Sequence, residues 1–103
     1  MNEIKQTEVF AQWIAGLKDL SGRARILGRI TRARLGHLGD VKYFGGIGEL
    51  RIDAGPGYRV YFARAGKTVY LLLNGGDKAS QPVDIERSKA LWAAIKGKRE
   101  TVQ

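Results

Sequence analysis

Val69-Tyr70-Leu71-Leu72-Leu73 is apolar at every position, and this lack of alternation constrains the fold more than any other stretch. A strand with one wet face alternates between apolar and polar residues, whereas one covered on both faces does not. Thr68 to Asn74 is therefore predicted to be a central strand with helical cover. Around it lie other strand-like runs with turn chemistry between them. Val41 to Phe44 and Gly48 to Asp53 meet at Gly45-Gly46, Tyr58 to Arg64 follows Gly55-Pro56-Gly57, and Ala65-Gly66-Lys67 turns into the central strand. Gly75-Gly76-Asp77-Lys78 reads as the exit from the sheet.

Helical periodicity occupies both ends of the chain. Ile4 to Gln6 suits a short opening strand, and Thr7 an N-cap. Val9, Phe10, Trp13, Ile14 and Leu17 then form one apolar stripe on a helix from Glu8 to about Asp19. Ser21 can cap a second helix that runs to about Leu35 and ends at Gly36, with Ile26, Leu27, Ile30 and Ala33 inward. The short connection predicts an antiparallel helical hairpin. Ser80 or Gln81 can cap a last helix opened by Pro82, with Val83, Ile85, Leu91, Trp92 and Ile95 supplying its core side. Lys96, Lys98 and Arg99 suit its C-terminus, and Thr101-Val102-Gln103 is expected to fray. The fold class is α+β: a short strand, a helical hairpin, a three- to four-stranded mainly antiparallel twisted sheet, and a C-terminal helix. At 103 residues the chain accommodates one domain, residues 1–103.

The residue inventory excludes several chemistries. With no cysteine and one histidine, the chain has no thiol catalysis, no disulfide and no credible metal-ligand cluster. Neither Gly46-Ile47-Gly48 nor Gly55-Pro56-Gly57 sits in the strand, glycine turn and helix order of a dinucleotide fingerprint. No cofactor is expected. Met1 leads into Asn2-Glu3-Ile4-Lys5 without a signal-peptide pattern, so a soluble cytoplasmic protein with no membrane partner is expected.

What remains is cationic. The formal net charge is +8, which favours a polyanion or an acidic protein as partner. Arg23, Arg25, Arg29, Arg32 and Arg34 crowd the second helix, and no Asp or Glu occurs between Asp19 and Asp40. They have no local acidic partner, and read either as a solvated basic face or as contacts for phosphates or an acidic protein. Strand alternation places Arg51 with Glu49 and Asp53, and Arg59 with Tyr61. An arginine in a buried strand must be paired or bind something. Arg59 is thus open to two readings, an ion pair with Glu49 or Asp53, or an anion site. Cations interleaved with Tyr43, Tyr58, Tyr61 and Tyr70 suit RNA.

Leu50-Arg51-Ile52, Gly55-Pro56-Gly57-Tyr58-Arg59-Val60-Tyr61-Phe62 and Leu71-Leu72-Leu73-Asn74-Gly75-Gly76-Asp77-Lys78, in this order of elements, resemble the addiction-module killer proteins. These are type II toxins of the RelE/ParE superfamily, near its HigB-like branch. The resemblance also covers Leu38-Gly39-Asp40-Val41-Lys42 and the Asp84-Ile85 region, and so spans nearly the whole chain.

Two activities are implied by the resemblance. One is a ribosome-dependent mRNA endonuclease that halts translation; the other is a ParE-like poison of DNA gyrase that does no nuclease chemistry. Either toxin would be neutralised by a helix-turn-helix antitoxin through which the complex binds operator DNA. For the nuclease, the resemblance makes Arg59 the phosphate-holding arginine and Lys78 a catalytic basic residue, with Arg51 as a weaker match. Lys42 matches a position that helps hold RNA. Attack of a ribose 2′-hydroxyl on the adjacent phosphate needs a proton acceptor, a proton donor and cations for the developing charge. Tyr61 is a candidate donor, and Arg25, Arg29 and Arg32 are candidate contacts to ribosomal RNA. No His or Tyr follows Lys78, unlike several nucleases of the superfamily. His37, in the loop after the second helix, reads as a surface or capping residue.

Overall fold

The computed structural model describes residues 1–101, with side chains through Lys98. The side chain of Arg99, expected to suit the last helix, and residues Val102-Gln103, expected to fray, lie outside this description, whereas Thr101, expected to fray with them, is the last residue of the final helix. The elements are β1 (Glu3–Gln6), α1 (Glu8–Ala15), α2 (Leu20–Arg34), β2 (Val41–Phe44), β3 (Ile47–Ile52), β4 (Tyr58–Gly66), β5 (Val69–Asp77) and α3 (Gln81–Thr101). They form an α+β fold on one five-stranded mixed sheet of order β1-β5-β4-β3-β2. The sheet exceeds the expected three to four strands because β1 joins it, running parallel to β5 from Glu3↔Val69 to Gln6↔Leu72. The remaining pairings are antiparallel.

β5 is interior to the sheet, as its unbroken apolar run predicts, and both of its faces are covered. On one face Phe10 and Ile14 of α1 and Ile26 and Ile30 of α2 pack with Leu50, Ile52, Val60, Phe62, Tyr70 and Leu72. On the other, Ile85, Leu91, Trp92 and Ile95 of α3 pack against Ile47, Tyr61, Ala63 and Leu73. Helices therefore cover both faces of the sheet. Each large side chain buried this way contributes about 2 kcal/mol by area removed from water.

Several boundaries differ from the sequence reading for local reasons. The first helix ends at Ala15 instead of Asp19, and the second is capped by Asp19, whose Oδ1 accepts from Gly22 N at 3.0 Å, instead of by Ser21. β5 continues through Gly75 and Gly76 to Asp77. Added Cβ atoms there would meet the Trp13 ring and the Asp84 carboxylate, so these glycines admit neighbours on both faces of the strand instead of ending it. In α3 the inward residues include Asp84 and Ser88, whereas Val83, expected inside, is 69% exposed. It falls on the outer side of the phase set by Asp84, Ser88, Leu91 and Ile95. Leu27 of α2 is likewise 44% exposed.

Candidate functional site

Residues directly opposite on neighbouring strands share a face, so the register assembles the site. One row runs Lys42↔Glu49↔Tyr61↔Asn74 across β2 to β5, and the next runs Arg51↔Arg59↔Gly76. The structure thus brings Lys42, Arg51, Arg59 and Tyr61 onto the sheet face that α3 covers, apart from the α2 arginines.

Glu49 is the centre of this face. It is fully buried, and its Oε1 lies 3.5 Å from Arg51 Nε and 3.9 Å from Arg59 Nε. Its Oε2 accepts from Gln81 Nε2 at 2.8 Å, which ties the first residue of α3 to the network. Arg59 is itself buried, and its Nη1 donates to the carbonyls of Gly57 and Tyr58. Of the two readings of Arg59, the ion pair with Glu49 is present, while Asp53 forms no ion pair with it. One carboxylate between two cations leaves this group with a net positive charge.

Tyr61 does not serve as the candidate proton donor. It is fully buried beneath α3, its hydroxyl has no hydrogen-bond partner, and burial first, then the Glu49 carboxylate, push its ionisation well above that of an ordinary phenol. A substrate cannot reach it in this conformation.

Lys78 and Arg59, far apart in sequence, meet at Gly57. An added Cβ on Gly57 would lie 3.4 Å from Lys78 Cβ and 3.5 Å from Arg59 Nη1, and its backbone has a φ of +81°. Glycine there satisfies the left-handed backbone and leaves room between the base of the Lys78 side chain and the Arg59 guanidinium. Lys78 is exposed. Asp77, beside it, turns the chain: its Oδ1 accepts from the backbone N–H groups of Ala79 and Ser80. Lys42 is also exposed, with its Nζ 5.2 Å from the Phe44 ring centroid, a contact worth about 0.5 kcal/mol at such a site.

The α2 arginines divide. Arg29 donates from Nη1 to the Arg51 carbonyl and from Nη2 to the carbonyls of Leu38 and Asp40, so it latches α2 to β3 and the preceding loop. Burial, and then the charge of Arg32, lower its pKa. It is a structural residue and not a free RNA contact. Arg25 and Arg32 remain exposed along a groove of about 450 Å³ that Arg51 also lines. His37 is exposed in its loop.

Among the described residues no group of three or more His, Cys, Asp or Glu side chains could hold a metal ion. No helix among them is long and apolar enough to cross a membrane. Gln81 and Asn74 were not legible as site residues: Gln81 reads as a helix start and Asn74 as a strand end. The strand register sets Asn74 beside Tyr61, and the docking of α3 brings Gln81 to Glu49.

No protein-family model matches the chain, and no solved structure does. A protein of Haemophilus influenzae (strain ATCC 51907 / DSM 11121 / KW20 / Rd), described as an uncharacterized protein, is 46% identical over 90 residues, covering 86% of this chain and 91% of the relative. The basic sheet face with its buried Glu49 network therefore belongs to a chain of the same family as this Haemophilus influenzae protein.

Proposed function

We propose that the chain is the toxin of a type II toxin–antitoxin module of the RelE/ParE kind, acting in the cytoplasm as a ribosome-dependent mRNA endonuclease. The observation that carries this reading is the meeting of Arg59 and Lys78 at Gly57, with Arg51 directly across from Arg59. In the reaction the ribose 2′-oxygen gives its proton to solvent water and bonds to the neighbouring phosphorus, and the bond to the 5′ oxygen breaks. The products are a 2′,3′-cyclic phosphate and a free 5′-hydroxyl. Arg59, Arg51 and Lys78 stabilise the extra negative charge of the transition state, and in this reading the Lys78 ammonium protonates the departing oxygen. Arg25 and Arg32 dock on ribosomal RNA phosphates, with Lys42 holding the message, and this binding weakens steeply with salt.

The antitoxin has a seat in this reading. A groove of about 620 Å³ between α1, α2 and β1 is lined by Phe10, Ile14, Leu27 and Ile30 and carries Lys5 and Arg34 at its rim. An apolar floor with a cationic rim fits an acidic amphipathic segment of a helix-turn-helix antitoxin, through which the complex would bind operator DNA.

One observation favours the second reading, a ParE-like gyrase poison. Glu49 already neutralises part of the charge of Arg51 and Arg59, as expected if these arginines serve only the fold. The test is to induce the protein without an antitoxin and follow amino-acid incorporation and the DNA-damage response together. Immediate arrest of incorporation without DNA damage is expected. A DNA-damage response that precedes any loss of translation would move the assignment to gyrase.

A further inference from the structure

The sheet does not itself hold Lys78. The ladder between β4 and β5 ends at Tyr58↔Asp77, and Lys78, Ala79 and Ser80 form the turn that leads into α3. Asp77 Oδ1 accepts from the backbone N–H groups of Ala79 and Ser80, and the N–H of Gln81 donates to the Lys78 carbonyl at 3.4 Å. These bonds make the turn a unit. All of them lie within residues 77–81, and none reaches Arg51 or Arg59.

Gln81 spans that gap. Its backbone closes the turn, and its side chain donates from Nε2 to Glu49 Oε2 at 2.8 Å. The other oxygen of the same carboxylate faces both arginines, in each case closest to Nε. Arg59 Nη1 is taken up by the carbonyls of Gly57 and Tyr58. Among the described residues, Arg59 Nη2 and both Nη groups of Arg51 have no hydrogen-bond acceptor, which leaves them for a ligand.

We propose that Gln81 is a positioning residue for this cation site: through Glu49 it fixes the Lys78 turn relative to Arg51 and Arg59. Glu49 is fully buried, so it offers a fixed point, and hydrogen bonds to a carboxylate are short and strong. The amide is suited to this role because it donates without carrying charge. A lysine there would compete with the arginines for the carboxylate. Groups that act on a transition state must be held in place, and a misplacement of about 1 Å can cost about a hundredfold in rate. The catalytic consequence rests on the nuclease reading above; the coupling between the turn and the arginines does not.

The test combines Gln81→Met, which removes the donor from a half-buried side chain, with Lys78→Ala in the full chain. Ribosome-dependent cleavage is measured for the parent, both single variants and the double variant, with urea unfolding as the check that each is folded. Gln81→Met should lower kcat at least about tenfold and leave KM for the ribosome unchanged, because the exposed α2 arginines are untouched. In the Lys78→Ala background the same substitution should cost far less, since no ammonium remains to be positioned. An unchanged kcat, or a loss as large in that background as in the parent, would overturn the proposal. A second measurement needs neither variant nor activity: in the ¹⁵N-labelled parent, the Gln81 side-chain amide should exchange slowly with solvent. Exchange as fast as that of a free glutamine side chain would overturn the proposal too. In a protein that cleaves no RNA, a protected Gln81 amide and a Lys78 resonance that moves in Gln81→Met would uphold the coupling and remove only its catalytic consequence.

Discussion

Arg51 and Arg59 stand directly opposite each other on β3 and β4, and the two like charges are held together by one buried carboxylate, Glu49, which contacts both through Oε1. Removing that carboxylate leaves a buried Arg59 without its counter-ion. Glu49→Ala is expected to destabilise the fold by about 3 kcal/mol, the range for breaking a buried pair. Glu49→Ala combined with Arg59→Met should recover part of that loss. Urea unfolding with an unchanged slope is the check, with Arg59→Met alone measured beside the other two, and a double variant that loses the sum of the two single losses would show that the pair does not couple.

Asp19 ties the α1–α2 connection to the glycine turn before β4: it caps α2 through Gly22 N, and its Oδ2 accepts from Tyr58 Oη at 2.8 Å. The Gly22 N–H, then the Tyr58 hydroxyl, hold its carboxyl below the usual carboxylate range. A carboxyl depressed in the folded state stabilises fully above its unfolded pKa, about 3.9, and loses that contribution as pH falls through the lower folded value. Asp19→Asn keeps a capping oxygen but cannot titrate. Its thermal midpoint should fall less steeply below about pH 4 than that of the parent chain, and identical acid profiles would refute this role.

Gly75 lies against Trp13, so closely that an added Cβ would sit 2.1 Å from the ring. Gly75→Ala must displace the indole from its contacts with Phe10 and Tyr58 and should cost about 2 kcal/mol, as overpacking does. A changed Trp13 indole resonance together with a lower urea midpoint is expected. An unchanged resonance would mean that the strand gives way instead.

These contacts also mark what was legible in the sequence. The uninterrupted apolar run of β5 revealed a strand covered on both faces, and the Phe10–Ile14 stripe revealed α1, because burial periodicity is written locally. Gly75-Gly76 was misread as an exit because glycine marks turns and close approaches alike, and only the positions of Trp13 and Asp84 distinguish them. Alternation placed Arg51 with Glu49 and Arg59 with Tyr61, yet it did not reveal that Tyr61 lies sealed under α3 or that Arg29 is consumed by three carbonyls. Both depend on how helices dock from outside the strand. The parallel pairing of β1 with β5 joins residues far apart in the chain, Glu3 to Val69 and Gln6 to Leu72, and no local pattern encodes it.

Leu27 is exposed at the edge of the α1–α2–β1 groove, where the antitoxin is proposed to sit. Leu27→Glu should leave the isolated protein folded and toxic but reduce antitoxin affinity at least tenfold, through lost apolar contact and repulsion of an acidic partner. Co-expression rescue and titration calorimetry are the checks. Undiminished rescue would move the antitoxin to another surface.

The most direct measurement maps new 5′ ends in cellular mRNA minutes after induction without an antitoxin, with and without a block to translation initiation, for the parent chain and for Lys78→Ala. Lys78 is exposed, so its loss should not disturb the fold. Cuts inside translated frames that disappear under the block, and that Lys78→Ala reduces at least tenfold, are expected. Growth arrest with no new mRNA ends would contradict the assignment of this protein as an endonuclease.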